Sequence, residues 1–280
     1  MLKTGFLLAV LLYPQLVAAA LPQRIVSLNL CTDQWLLLLA ERNRIASLTW
    51  LSADPEESPL AAEAQGITLN YGQAEDVIPL RPDLILAGTY TARFTVDLLQ
   101  QRGYQVASIA PANSLQQLRD GLREVAVLLG AQQRAEQLLT AFDKDLAALA
   151  PTVSTAAVWP QAILYAGKGF AAGAHSIGSD LLTAVGLRNQ AAALGVEYSA
   201  YIDLETLLSQ PPDLLVISRY HPQAASLATR YLSHPVLRYG LRDRLIIELP
   251  ARLLSCTPSA LLRAARRLRD AREQILDNML

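Results

Sequence analysis

Glu75 and Glu205 occupy the same place in two copies of one device. The stretch YGQAEDVIPLRPDLILAGTY (71–90) lies without a gap over YIDLETLLSQPPDLLVISRY (201–220). Tyr71 meets Tyr201, Pro82-Asp83-Leu84 meets Pro212-Asp213-Leu214, and Tyr90 meets Tyr220. Each glutamate falls in the first turn of a short predicted helix. There a carboxylate complements the helix dipole, an effect of about 0.3–1 kcal/mol. It is also free to make a directional, charge-assisted pair with a guanidinium. The two cysteines, Cys31 and Cys256, admit three states in this chain. They are expected as free buried thiols, with a disulfide second and metal ligation third. A bond between them would link two halves of the protein and hinder their closure. The three histidines, His175, His221 and His234, are scattered, and no GxSxG, HExxH or P-loop pattern appears. Neither an enzyme nor a metal site is expected, and no cofactor.

The elements that must hold these residues alternate. Predicted strands cover 24–30, 44–50, 84–88, 104–110, 156–167, 213–218 and 244–250, with β-branched and apolar runs. Helical patterns cover 32–41 (Thr32 or Asp33 as cap), 95–103, 175–186 (Ser176 or Ser179 as cap), 201–210 (Asp203 as cap) and 257–276 (Thr257 as cap, Pro258 first). Strand and helix in alternation imply βαβ units and parallel sheets. Residues 114–149 read as helix almost throughout, broken near Gly130. The apolar positions of 131–150 recur at helical spacing. A helix of about 20 residues covers about 30 Å, enough to space two lobes. The fold class is therefore α/β: two Rossmann-like lobes joined by a long interdomain helix, with a ligand cleft between them. The expected divisions are a signal peptide at 1–20, an N-terminal lobe at 21–125, a connecting helix at 126–150 and a C-terminal lobe at 151–280. The arginines of the last helix (263, 266, 267, 269, 272) read as a solvated face.

Half the chain's 280 residues are apolar and the formal net charge is -1. A sizeable core is possible, and the basic excess of a nucleic-acid binder is lacking. The first residues, MLKTGFLLAVLLYPQLVAAALP, have a basic Lys3, a short apolar run interrupted at Pro14, and small residues at 18–20. That is the layout of a cleaved secretory leader. The run is too short for a membrane span of about 20 residues.

Open α/β lobes bind ligands beyond the carboxyl ends of their strands. By position those ends carry Asn29, Leu30, Cys31, Trp50, Tyr71, Thr89 and Tyr90 in the first half. In the second half they carry Tyr165, Phe170, Arg219, Tyr220, Arg252 and Leu254. The set is aromatic-rich with a few polar groups, suited to a large, flat, partly apolar ligand. About half of the aromatics are expected in the core instead.

Four stretches together resemble a known family: RIVSLNLCTDQWLLLLA, AEDVIPLRPDLILAG, GSDLLTAVGLRN and YIDLETLLSQPPDLLVIS. The chain looks like the periplasmic binding proteins that serve importers of cobalamin, ferric siderophores and haem, from about residue 24 to the end. The resemblance implies two lobes on one long helix, with limited closure. It implies that Glu75 and Glu205 dock, one per lobe, on arginines of a permease dimer carrying its ATPase subunits. It also implies a monomer in the periplasm. A corrinoid is the first choice of ligand, because the cleft residues lack the arginine cluster expected for an acidic siderophore. A ferric siderophore or haem is the alternative, and a divalent metal ion a further one. Cys31 departs from the family's usual small residue. A non-transport interaction module on the same fold is the remaining reading.

Overall fold

The computed structural model describes residues 20–91, 93–151, 159–219, 232 and 234–279. The expected leader up to residue 19, Tyr220 and His221 lie outside them. The first βα unit shows how closely local sequence sets the elements. β1 (Ile25–Ser27) leads at once into α1 (Leu30–Leu39), whose cap is Asn29 and not the expected Thr32 or Asp33. The Asn29 side chain accepts from the Cys31 N–H at 2.9 Å, which frees Thr32 and Asp33 to face inward, where both are buried. β2 (Ile45–Thr49), β3 (Leu69–Asn70), β4 (Leu84–Gly88) and β5 (Val106–Ile109) complete a parallel sheet in the order β3-β2-β1-β4-β5. The short α2 (Ala61–Ala64) and α3 (Ala74–Val77), with α4 (Arg93–Gln101), fill the connections.

The second sheet has the order β11-β10-β6-β7-β9. It is built from β6 (Gln161–Tyr165), β7 (Phe170–Ala172), β8 (Arg188–Asn189), β9 (Ser199–Tyr201), β10 (Leu214–Arg219) and β11 (Leu245–Pro250), with β8 beside β6. β6, β10 and β11 run parallel, whereas β7 is antiparallel to both β6 and β9. Of the β6–β7 hairpin only the first arm was legible, inside the expected strand 156–167. It turns on Gly167-Lys168-Gly169, with Lys168 at φ 60°, and its second arm, β7, is too short to show alternation. α7 (Ile177–Ala184) and, past the short α8 (Gln190–Ala193), α9 (Leu204–Ser209) take the expected caps, Ser176 and Asp203. The bond from the Thr206 N–H holds the Asp203 carboxyl below its ordinary range. The closing helix, Pro258–Asp277, is capped by Thr257. On it Arg272 is not on a solvated face: it is buried and donates to Val185 O at 2.7 Å.

The duplicated device has a structural meaning. β4 pairs with β1, and β10 pairs with β6. The aspartate opening each strand clamps the start of its neighbour. Asp83 accepts from the N–H groups of Gln23 and Arg24, at 2.6 and 2.9 Å. Asp213 accepts from the Gln161 N–H at 2.8 Å.

The connection between sheets differs from a single helix over 126–150. α5 (Leu115–Leu129) ends at Gly130, which is left-handed at φ 70°, and α6 (Gln132–Ala147) begins beyond it. The pair is antiparallel, laced by Arg119–Asp143 and Arg123–Glu136. Both helices touch both lobes. Leu115, Leu118, Phe142 and Leu146 pack in the core of the second sheet. Leu122, Val125, Leu129, Ala135 and Leu139 pack in that of the first. The N-terminus of α5 is also fixed to the second lobe, since Leu115 N–H donates to Asp180 at 2.7 Å.

Candidate functional site

Each sheet presents the carboxyl ends of its parallel strands to the other. Two covalent or ionic ties show it. Cys31, just after β1, is bonded to Cys256, which follows β11 and a short turn. Their Cα atoms are 5.3 Å apart and the link spans 225 residues. This corrects the expectation of free thiols: Cys31 lies in the first turn of α1 and Cys256 in the loop before the closing helix, at the same seam, so the fold itself brings them into bonding range. Trp35, one turn further along α1, donates from Nε1 to Cys256 O at 2.7 Å. Arg252, after β11, pairs with Glu56 in the loop after β2 at 3.3 Å. Sequence reasoning missed Glu56, because its loop showed only polar composition.

The first lobe's face of the cleft follows its sheet order. At the edge, Tyr71 and Trp50 stack with ring centroids 6.4 Å apart and planes at 26°. They are 71% and 45% exposed. Next come Asn29 and Cys31, then Thr89 and the 84%-exposed Tyr90. Asn29, Cys31, Thr32, Trp35, Gly88, Thr89, Tyr90 and residues 109–112 line a cavity of about 80 Å³ at the floor. A drug-sized ligand needs about 300–1,000 Å³, so this cavity takes only one edge of a large ligand. A Cβ at Gly88 would stand 2.8 Å from Asn29 Nδ2, so a side chain there would displace the Asn29 amide. Leu30 is half-buried.

The second lobe's face carries its own aromatic pair. Phe170 and Tyr201 lie with ring centroids 4.2 Å apart. Tyr201 was not among the cleft candidates, although the repeat register, which lays it over Tyr71, already pointed to it. Beyond it, Tyr198 lies 5.3 Å from the His175 ring. Arg219 lies 3.4 Å from Glu248. Two candidates fail. Tyr165 is fully buried and donates its hydroxyl to Ile202 O at 2.6 Å, so it belongs to the core. Leu254 packs on the core cluster of the second lobe. Glu75 and Glu205 are exposed at the starts of α3 and α9, and neither has an ion-pair partner among the described residues. Among those residues no group of three or more His, Cys, Asp or Glu is placed to hold a metal. None of their helices is long and apolar enough to cross a membrane.

Each lobe thus carries an exposed aromatic pair, and a disulfide ties the two lobes at the seam. The chain-wide pattern matches that of a known group: the profile described as periplasmic binding protein matches residues 25–237. The chain belongs to the periplasmic binding protein family. A cobalamin-binding protein of Halobacterium salinarum (strain R1) is 26% identical over 198 residues, covering 70% of this chain and 53% of that one. An uncharacterised ABC transporter substrate-binding lipoprotein of Bacillus subtilis, YvrC, is 25% identical over 128 residues, 45% of this chain and 40% of its own. The chain thus spans about half the length of the curated relatives it matches. Among solved structures, a periplasmic haem-binding protein from Pseudomonas aeruginosa superposes with a TM-score of 0.73 at 25% identity, covering 90% of this chain and 93% of that one. The apo form of the periplasmic haem-binding protein RhuT from Roseiflexus sp. RS-1 gives 0.72 at 24%, covering 89% and 98%. As in those two-lobed structures, this periplasmic binding protein family member has two mostly parallel sheets flanked by helices.

Proposed function

We propose that the chain is the substrate-binding component of an ABC importer. It captures a metal chelate with a large, flat organic frame and delivers it to a membrane permease. The observation that carries this reading is the pair of aromatic rims, Trp50–Tyr71 and Phe170–Tyr201, on opposed lobes. Exposed large apolar groups are costly unless they have a purpose, and stacked rings suit a planar macrocycle. A corrinoid is the first choice. The two arginines of the cleft set are already paired with Glu248 and Glu56, which argues against an acidic siderophore. The name of the Halobacterium relative supports the same choice.

Haem is the second reading. The exposed phenols of Tyr71, Tyr90 and Tyr201 are of the type that ligates ferric haem iron, and the Pseudomonas neighbour is a haem binder by title. Glu75 and Glu205 are the proposed docking contacts for the permease dimer. Both are exposed, both open a helix, and the repeat sets one on each lobe. The protein acts without chemistry of its own, as a monomer exported to the periplasm after removal of residues 1–20. Calorimetric titration of the purified protein with cyanocobalamin, haemin and a panel of ferric siderophores tests the reading. Saturable one-to-one binding of cyanocobalamin supports the first choice. Binding of haemin alone, with a charge-transfer band typical of phenolate ligation, supports the second. No binding of any of them refutes both.

A further inference from the structure

Beneath the Trp50–Tyr71 rim lies a buried polar network. Thr49 and Asn70, paired across β2 and β3, immediately precede the two aromatics. Both are buried, and each is held from below. Asn70 Nδ2 donates to Ser27 O, Ser47 Oγ and Leu48 O at 3.0, 2.8 and 3.0 Å, while its Oδ1 accepts from the Gly72 N–H at 3.1 Å. Thr49 donates from its N–H to Asp33 at 3.1 Å and from its hydroxyl to the same carboxyl group. Ser52 Oγ then closes on Thr49 O at 2.6 Å. Asp33 is completely buried, though the cleft function gives it no task. A carboxyl group in such a place costs free energy unless it is fully bonded.

We infer that Asp33 is the positioning residue of the Trp50–Tyr71 platform, acting through Thr49. The inference rests on the proposed use of that platform for ligand. An ionised carboxylate only accepts, so it takes both Thr49 donors at once. A neutral carboxyl keeps one oxygen as a donor, which competes with that arrangement. The anchor of Trp50 is therefore tight when Asp33 is ionised and loose when it is protonated. Burial pushes this carboxyl up to about 7, against the opposing bonds from Ser27 and Thr49.

The charged surroundings do not override this. α1 carries no other charged residue, and β1, β2, β4 and the turn Trp50–Ala53 carry none. On α5, which also packs against α1, Arg119 pairs with Asp143, Arg123 with Glu136 and Asp120, and Glu124 is exposed.

The test reads Trp50 directly in the whole protein, as the fluorescence of wild type minus that of Trp50→Phe. Subtraction removes Trp35, Trp159 and the effects of histidines on them. Between about pH 5.5 and 8.5, the difference spectrum should titrate with its midpoint near pH 7. Asp33→Asn should abolish the titration while far-UV circular dichroism stays native. Thr49→Val, which removes one donor that favours the ionised form, should move the midpoint upward, and it serves alone if Asp33→Asn does not fold. Affinity for cyanocobalamin, or for haemin, should weaken several-fold on the acid side in wild type only. A flat difference spectrum in wild type, a midpoint kept in Asp33→Asn, or one unmoved in Thr49→Val overturns the inference. If the spectrum titrates as stated but neither ligand's affinity follows, the positioning role stands and the ligand reading of the platform fails.

Discussion

Asp33 opposes folding in a way that can be measured without any ligand. Its carboxyl is raised from 3.8 to about 7 by burial. The folded chain then holds a proton that the unfolded chain has released over that interval. The stabilising contribution of the neutral form is complete below about pH 4 and is lost as pH rises through about 7. The full interval corresponds to about 4 kcal/mol as an upper figure. The wild-type melting temperature, taken relative to that of Asp33→Asn, whose side chain does not ionise, should accordingly fall from pH 4 to pH 7. This residue was not legible as a buried acid, because a polar residue at a strand–helix junction looks like a cap. Asn29, three residues before the expected start, took that role. Tyr165 and Tyr71 show the same limit. Both end strands in the sequence, yet one bonds Ile202 O inside the core and the other stands open. Only the packing of Ala171 and Ile202 against Tyr165 separates them.

The repeated unit was the most legible element. Its strand, its aspartate turn and its glutamate helix recur at one register because each solves the same local problem of joining a short helix to a central strand. The α5–α6 pair was half legible. Gly130 and the helical spacing were plain in the sequence, but the sharing of both helices between two cores depends on contacts distant along the chain. Gly121 on α5 tests that packing. A Cβ there would stand 2.7 Å from the Trp35 ring, which also bonds Cys256 O across the seam. Gly121→Ala should therefore destabilise the protein by about 1–3 kcal/mol, as overpacking does, despite its better helix propensity. Urea denaturation checks the loss, and near-ultraviolet circular dichroism should report a displaced Trp35.

At the scale of the whole molecule the two lobes are tied together along one seam. The Cys31–Cys256 bond, the Trp35 hydrogen bond and the Arg252–Glu56 pair all cross the seam. Replacing both cysteines by serine should lower stability by about 2–4 kcal/mol through the freed unfolded chain, with the fold retained. Small-angle scattering should then show a wider spread of lobe separations. Docking belongs to the same scale. Changing Glu75 and Glu205 together to alanine should leave the Kd for ligand within a few-fold, since neither is part of the stacked ring pairs. It should weaken association with the permease by about 2–5 kcal/mol, if those carboxylates become buried pairs. High salt should mimic part of that loss in wild type. The central claim is narrower: the cleft holds a flat chelate between one aromatic rim from each lobe. The most direct measurement is equilibrium titration of cyanocobalamin and haemin against wild type and the double variant Trp50→Ala/Phe170→Ala, with thermal melts confirming that both are folded. The account predicts one equivalent bound by wild type, with quenching of Trp50, and affinity lowered at least about tenfold in the variant, the effect of about 1.4 kcal/mol of lost ring contact. Equal affinity in the two proteins, or no saturable binding in wild type, would contradict it.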